Sequence, residues 1–118
     1  MEKVQFIGCE EDGTDQIVSF ALTHGEIGVK SLILLRTPRY EPMLDEIERG
    51  VSVSLEHQTG DDGEALVVVR IGSKRLTIET EVSKYHLDVS RVDPAELSEM
   101  RALIERMNFD DRFTIEDA

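Results

Sequence analysis

Tryptophan is absent, aromatic residues make up only 5% of the chain, and there is one cysteine and there are three prolines. Each scarcity excludes something. With Cys9 alone no internal disulfide can form, which points to a reducing compartment. The apolar run Leu32 to Leu35 is strand-sized, and no apolar run approaches the ~18 residues of a membrane-spanning helix. The opening Met1-Glu2-Lys3 leads into a short apolar stretch that Glu10-Glu11-Asp12 ends, so no secretion signal is expected and the expected location is cytoplasmic. Few aromatics leave little material for a cofactor-stacking cleft, and no cofactor is expected. No Gly-x-Ser-x-Gly, phosphate loop or dinucleotide fingerprint occurs. Gly25-Glu26-Ile27-Gly28 reads as a plain turn, since a glutamate stands where a nucleic-acid backbone would lie.

Histidine chemistry is equally sparse. His24, His57 and His86 have no His or Cys partner two to four residues on, so no zinc spacing exists. His24 continues the inner parity of its strand, and His57 begins a loop near Asp61 and Asp62 with no nucleophile to activate. Cys9 stands beside acids, which raise a thiol's pKa, and reads as inert. The acidic stretches Glu10 to Asp15 and Asp61 to Glu64 lack the spacing of a calcium loop, so they read as solvated turns and no metal is assigned. The expectation is a protein that is not an enzyme.

What the chain has is negative charge. Asp and Glu total 25 against 13 Lys and Arg, a formal net charge of −12 over 118 residues. Such a surface repels nucleic acid and anionic membranes, keeps a small protein soluble, and attracts basic partners. The length suits one domain, here 1–108, with 109–118 as a short acidic tail.

The hydrophobic pattern predicts strands, then one helix. Val4 to Ile7 is a short strand, and Ile17 to His24 alternates, with Val18, Phe20 and Leu22 on one face. Ser31 to Arg36 is apolar on both faces, as in a strand covered on both sides. Pro38 and Pro42 bracket an irregular segment, and Asp45 to Gly50 allows at most one helical turn. Val51 to His57 alternates, Ala65 to Ile71 follows as a strand, and Arg75 to Glu81 and Lys84 to Ser90 alternate again. A Gly72-Ser73 turn pairs Val69 with Leu76 and Val67 with Ile78, and a Val82-Ser83 turn pairs Ile78 with Leu87 and Glu79 with His86. Two apolar rows then cross four strands: Leu55, Val67, Ile78, Leu87, and Val53, Val69, Leu76, Val89. Asp93-Pro94-Ala95-Glu96 is a capping box ahead of Leu97, Met100, Leu103, Ile104 and Met107, a helical stripe expected to cover that face until Asn108 stops it. Phe109 is expected to cap the core, and Phe113 either docks or frays. The fold class is α+β: an antiparallel meander of six or seven strands under one C-terminal helix.

From Ser31 to Met107 the order of features resembles a family of bacterial polymorphic-toxin immunity proteins, the one numbered ten in its series. The resemblance rests on Leu32-Ile33-Leu34-Leu35-Arg36, on Asp45-Glu46-Ile47-Glu48 closed by Gly50, on the strand Val51 to Glu56, and on the hairpins and Leu97/Ile104 helix that follow. It implies a cytosolic protein that binds and blocks a toxin domain without catalysis or cofactor. Charge makes a basic partner the natural one, with candidate contacts at Glu10, Glu11, Asp12, Asp61, Asp62 and Glu64 and an aromatic anchor at Tyr40. The alternative is a self-associating scaffold or regulatory module, a homodimer included, because an open meander exposes edge strands.

Overall fold

The computed structural model describes residues 2–23, 29–46, 49–55 and 63–117. The elements are β1 (Glu2–Glu11), β2 (Gln16–Thr23), β3 (Val29–Arg36), a 3₁₀ segment (Pro38–Met43), β4 (Ser52–Leu55), β5 (Glu64–Ile71), β6 (Arg75–Thr80), β7 (Lys84–Asp88), α1 (Pro94–Met107) and β8 (Thr114–Asp117). The α+β class holds. Among the described residues the strands number eight, not six or seven, and the sheet is mixed.

The meander does not stay open. β1 to β4 pair antiparallel in sequence order, and so do β5 to β7. β4 meets β5 at Ser52–Ala65 and Val53–Glu64, and β1 runs parallel to β7 at Glu2–Leu87 and Lys3–Asp88. The first seven strands thus return on themselves, and β8 adds to β5 in parallel. Closure gives each strand one inward face. Val18, Phe20, Leu22, Leu32, Leu34, Ile78 and Leu87 are fully buried on it. β3 is therefore not covered on both sides: Ile33 is half-buried and Leu35 exposed.

Both hairpins turn one residue away from the expected place. Gly72 N–H donates to Arg75 O at 2.8 Å, so Ser73-Lys74 forms the first turn and Val69 faces Ile78. Thr80 pairs with Ser83, so Glu81-Val82 forms the second. Thr80 selects this turn: its hydroxyl accepts from the N–H groups of Ser83 (2.8 Å) and Val82 (3.2 Å). Moving a turn by one residue moves the pairing by two, so every inward side chain stays inward. Ile78 faces Tyr85, and exposed His86 faces Thr77, because Lys84 takes the place opposite Glu79.

The expected rows break at β5. A bulge between Leu66 and Val68 flips the alternation, burying Leu66 and leaving Val67 41% exposed. Val53 meets Glu64 instead of Val69, since β5 stays beside β4 for only two pairs before β8 occupies that edge.

The helix forms as its residues dictate. Asp93 caps it through the N–H of Ala95 at 2.8 Å, with Pro94 in the first turn. Met100, Leu103, Ile104 and Met107 are buried and Leu97 packs beside them. The stripe rests mainly on β1 and β2. Glu96 explains this: its carboxylate accepts from the N–H of Ile7 (2.9 Å), tying α1 to β1 instead of closing the capping box. Asn108 ends the helix, and its side chain makes two hydrogen bonds to the backbone of Phe113 (2.9 and 3.2 Å). That clamp drives Phe113 into the core and leaves Phe109 60% exposed, the reverse of the expected capping role. The residues expected as a tail continue into β8.

Ile104→Ala should lower the unfolding free energy by about 2–5 kcal/mol in urea at an unchanged m-value, whereas Val82→Ala in the exposed turn should change it by less than about 0.5 kcal/mol.

Candidate functional site

The β1–β2 hairpin tip gathers carboxylates. Glu11 pairs with Gln16 and Glu10 with Ile17. The chain reverses where Asp12 N–H donates to Asp15 O at 3.0 Å. The Asp12 carboxylate accepts from the N–H groups of Thr14 (2.7 Å) and Asp15 (2.8 Å), and these bonds hold its pKa below the ordinary value. Glu11 accepts from Gln16 Nε2 and pairs with Arg106 of α1 at 3.0 Å, and it too is lowered. Glu10 is exposed and has no ion pair among the described residues. Of the expected contact residues, Asp12 and Glu11 thus have local structural duties.

Gln16 is also opposite Arg36, the last residue of β3, so the 3₁₀ segment that follows leaves the sheet beside this tip. It displays Tyr40 (47% exposed) and Met43 (83%). The structure therefore brings Glu10, Glu11, Asp12 and Tyr40 to one end of the sheet. Glu64 is elsewhere: on β5 it accepts from Thr80 Oγ1 (2.8 Å) and Ser83 Oγ (2.9 Å), bracing the β6–β7 turn. Asp61 and Asp62 lie outside the described residues, as do His24, His57 and the Gly25 to Gly28 turn.

Arg36 holds this end together. It is fully buried. Its Nε and Nη2 donate to Glu41 of the 3₁₀ segment, both at 2.8 Å, and Nη1 and Nη2 donate to Asp110 after α1, also at 2.8 Å. Nη1 further reaches Met107 O at 2.6 Å, and the Phe109 ring lies over the guanidinium at 4.1 Å. Burial by itself would raise the Glu41 carboxyl, but Arg36 and the N–H of Gly50 outweigh it and the pKa is lowered. Hydrogen bonds from Arg36 and Arg112 hold Asp110 far below the usual carboxylate range. The sequence pattern contains the signal for Arg36: it shares the inward parity of Leu32 and Leu34, and a charge at a core position requires partners.

The titratable groups give little to chemistry. Glu11, Asp12, Glu41, Glu79, Asp88 and Asp110 are all shifted downward, whereas a general acid at neutral pH needs an upward shift. The Cys9 thiol is pushed up to about 11, first by burial and then by Glu99 and Glu96 of α1, offset in part by Arg106. Its inertness thus owes more to packing than to the acids beside it in sequence. Among the described residues no group of three or more His, Cys, Asp or Glu is arranged to hold a metal, and no helix is long and apolar enough to cross a membrane. Comparison with family models, with curated proteins and with solved structures finds no match to the chain.

Arg36→Met should cost about 3–5 kcal/mol, because it strands two carboxylates, whereas Lys84→Met at an exposed pair should cost at most about 1 kcal/mol. Glu41 and Asp110 have folded pKa values below their unfolded ones. Their stabilisation is present above the unfolded carboxylate range, about pH 4, and is lost as pH falls toward the folded values. Asp110→Asn should therefore be less stable than the parent at pH 7 and show a flatter decline between about pH 5 and pH 2 in denaturant titrations.

Proposed function

We propose that this protein is a non-catalytic binding module whose acidic hairpin end meets a basic protein partner. One observation carries the reading: Glu10, Glu11, Asp12 and Asp15 converge beside a 3₁₀ segment that exposes Tyr40 and Met43. Carboxylates around an apolar anchor suit fast, charge-steered encounter followed by slow release. Arg36 favours this use, since it fixes the 3₁₀ segment before any partner arrives, and a rigid surface binds at lower entropic cost.

In its most specific form the partner is a toxin domain and the protein its cytoplasmic immunity factor. This rests on the resemblance from Ser31 to Met107 and on the fit between clustered carboxylates and the phosphate-binding surface of a basic nuclease. It requires no cofactor. The self-association alternative depended on the exposed edges of an open meander, and it is weakened because the first seven strands close on themselves.

Affinity capture from the source lysate should recover a basic protein at about 0.02 M salt and lose it at about 0.5 M. The double variant Glu10→Lys/Asp15→Lys should lose the same protein at low salt, and Tyr40→Ala should shorten its residence time. Recovery that ignores both salt and charge reversal would rule the reading out.

A further inference from the structure

At the other end of α1 two cations, Lys74 and Arg101, line the surface. A groove of about 750 Å³ opens between the helix start, the β5–β6 turn and β8, a size suited to a small molecule. Ile71, Val92 and Leu97 give it an apolar floor. Val92 is buried in the core cluster, and Ile71 and Leu97 pack against that cluster, so the floor is held in place. The hydroxyls of Ser73, Ser90 and Ser98 and the cations of Lys74 and Arg101 surround it.

The cations do not stand alone. Arg75 follows Lys74 and pairs in register with Asp88, as Lys3 does from the other side, and Arg91 follows Ser90. The acids of this corner are engaged. Asp88 accepts from the N–H of Ser90, Asp93 from that of Ala95, Asp117 from Arg101 Nη1, and Glu105 from Arg101 Nε. Lys74 has no ion pair among the described residues. In a chain of net charge −12, the wall of this groove holds two cations, Lys74 and Arg101, against one carboxylate, Asp117.

The contact of Asp117 with Arg101 shows what the groove accepts. Asp117 lies in the groove wall with its carboxylate on Arg101 Nη1 at 2.8 Å, although its side chain is 76% exposed. An exposed pair of this kind is weak and exchangeable. The helix N-terminus is not the anchor, because Asp93 already occupies the N–H of Ala95 and Pro94 has none.

We propose that this groove binds a small amphipathic carboxylate, its apolar body on Ile71, Val92 and Leu97 and its carboxylate between Lys74 and Arg101 in exchange for Asp117. The site is separate from the acidic hairpin end and does not depend on the partner reading above.

Octanoate is a suitable probe, with 1-octanol as its uncharged match, each titrated into the ¹⁵N-labelled full chain. Octanoate should produce saturable shifts at the amides of Ser73, Lys74 and Ser98, and octanol should bind about tenfold more weakly. Lys74→Glu, in an exposed turn and so without consequence for folding, should weaken octanoate about tenfold. Asp117→Asn should tighten it severalfold by freeing Arg101 Nη1 while Glu105 keeps Nε, an effect that a general loss of structure would not produce. Equal binding of octanol, shifts scattered outside the groove, no saturation by about 10 mM, or affinities indifferent to both substitutions would overturn the proposal.

Discussion

Arg36 carries five N–H donors, and hydrogen bonds to Glu41, Asp110 and Met107 O account for all of them. Taking a charge out of water costs several kcal/mol, and only complete pairing offsets such a cost. Everything the guanidinium needs must therefore be delivered to the end of β3. Glu41 brings the 3₁₀ segment, Met107 O brings the last turn of α1, and Asp110 brings the chain beyond it. Phe109, poorly placed for a core residue, completes the cluster as a ring over the cation. The segment that displays Tyr40 and Met43 is held by this arrangement and has few apolar contacts of its own.

The second constraint is closure. A ring of strands gives each one an inward face, so alternation is the pattern that matters and the particular cross-strand partner matters less. Both hairpins could turn a residue away from the expected position without cost to the core, because each shift preserved parity. The bulges at Val67 in β5 and between Val4 and Phe6 in β1 changed parity, and at each the burial pattern changed with it: Val67 and Phe6 are exposed. Closure also explains why α1 sits on β1 and β2. β1 pairs with β7 only at Glu2 and Lys3, and Glu96 satisfies the Ile7 N–H farther along.

The charge is structured in the same way. Net charge describes the chain as uniformly acidic, but many carboxylates serve the fold. Glu41 and Asp110 neutralise Arg36, Glu64 braces a turn, Glu96 joins helix to strand, and Asp12 shapes a hairpin. Glu10 and Asp15, at one end of α1, have no ion pair among the described residues, and neither does Lys74 at the other. A total of −12 thus conceals a groove whose wall carries more cations than carboxylates.

Local chemistry in the sequence determined the elements themselves. Alternation set which faces of β2, β4, β6 and β7 turn inward, and Asp93-Pro94 with its apolar stripe set where α1 begins and what it buries. Those signals are legible because each lies within a few residues of what it controls. The tertiary structure decided whatever depends on partners distant in the chain. Arg36 and Asp110 are 74 residues apart, and Ile7 and Glu96 are 89 apart. The closure of β1 on β7, the addition of β8 to β5 and the gathering of Lys74, Arg101 and Asp117 around one groove are of the same kind. Each depends on where a side chain or strand edge left unsatisfied in its own segment finds its complement, and that is settled only when the chain packs.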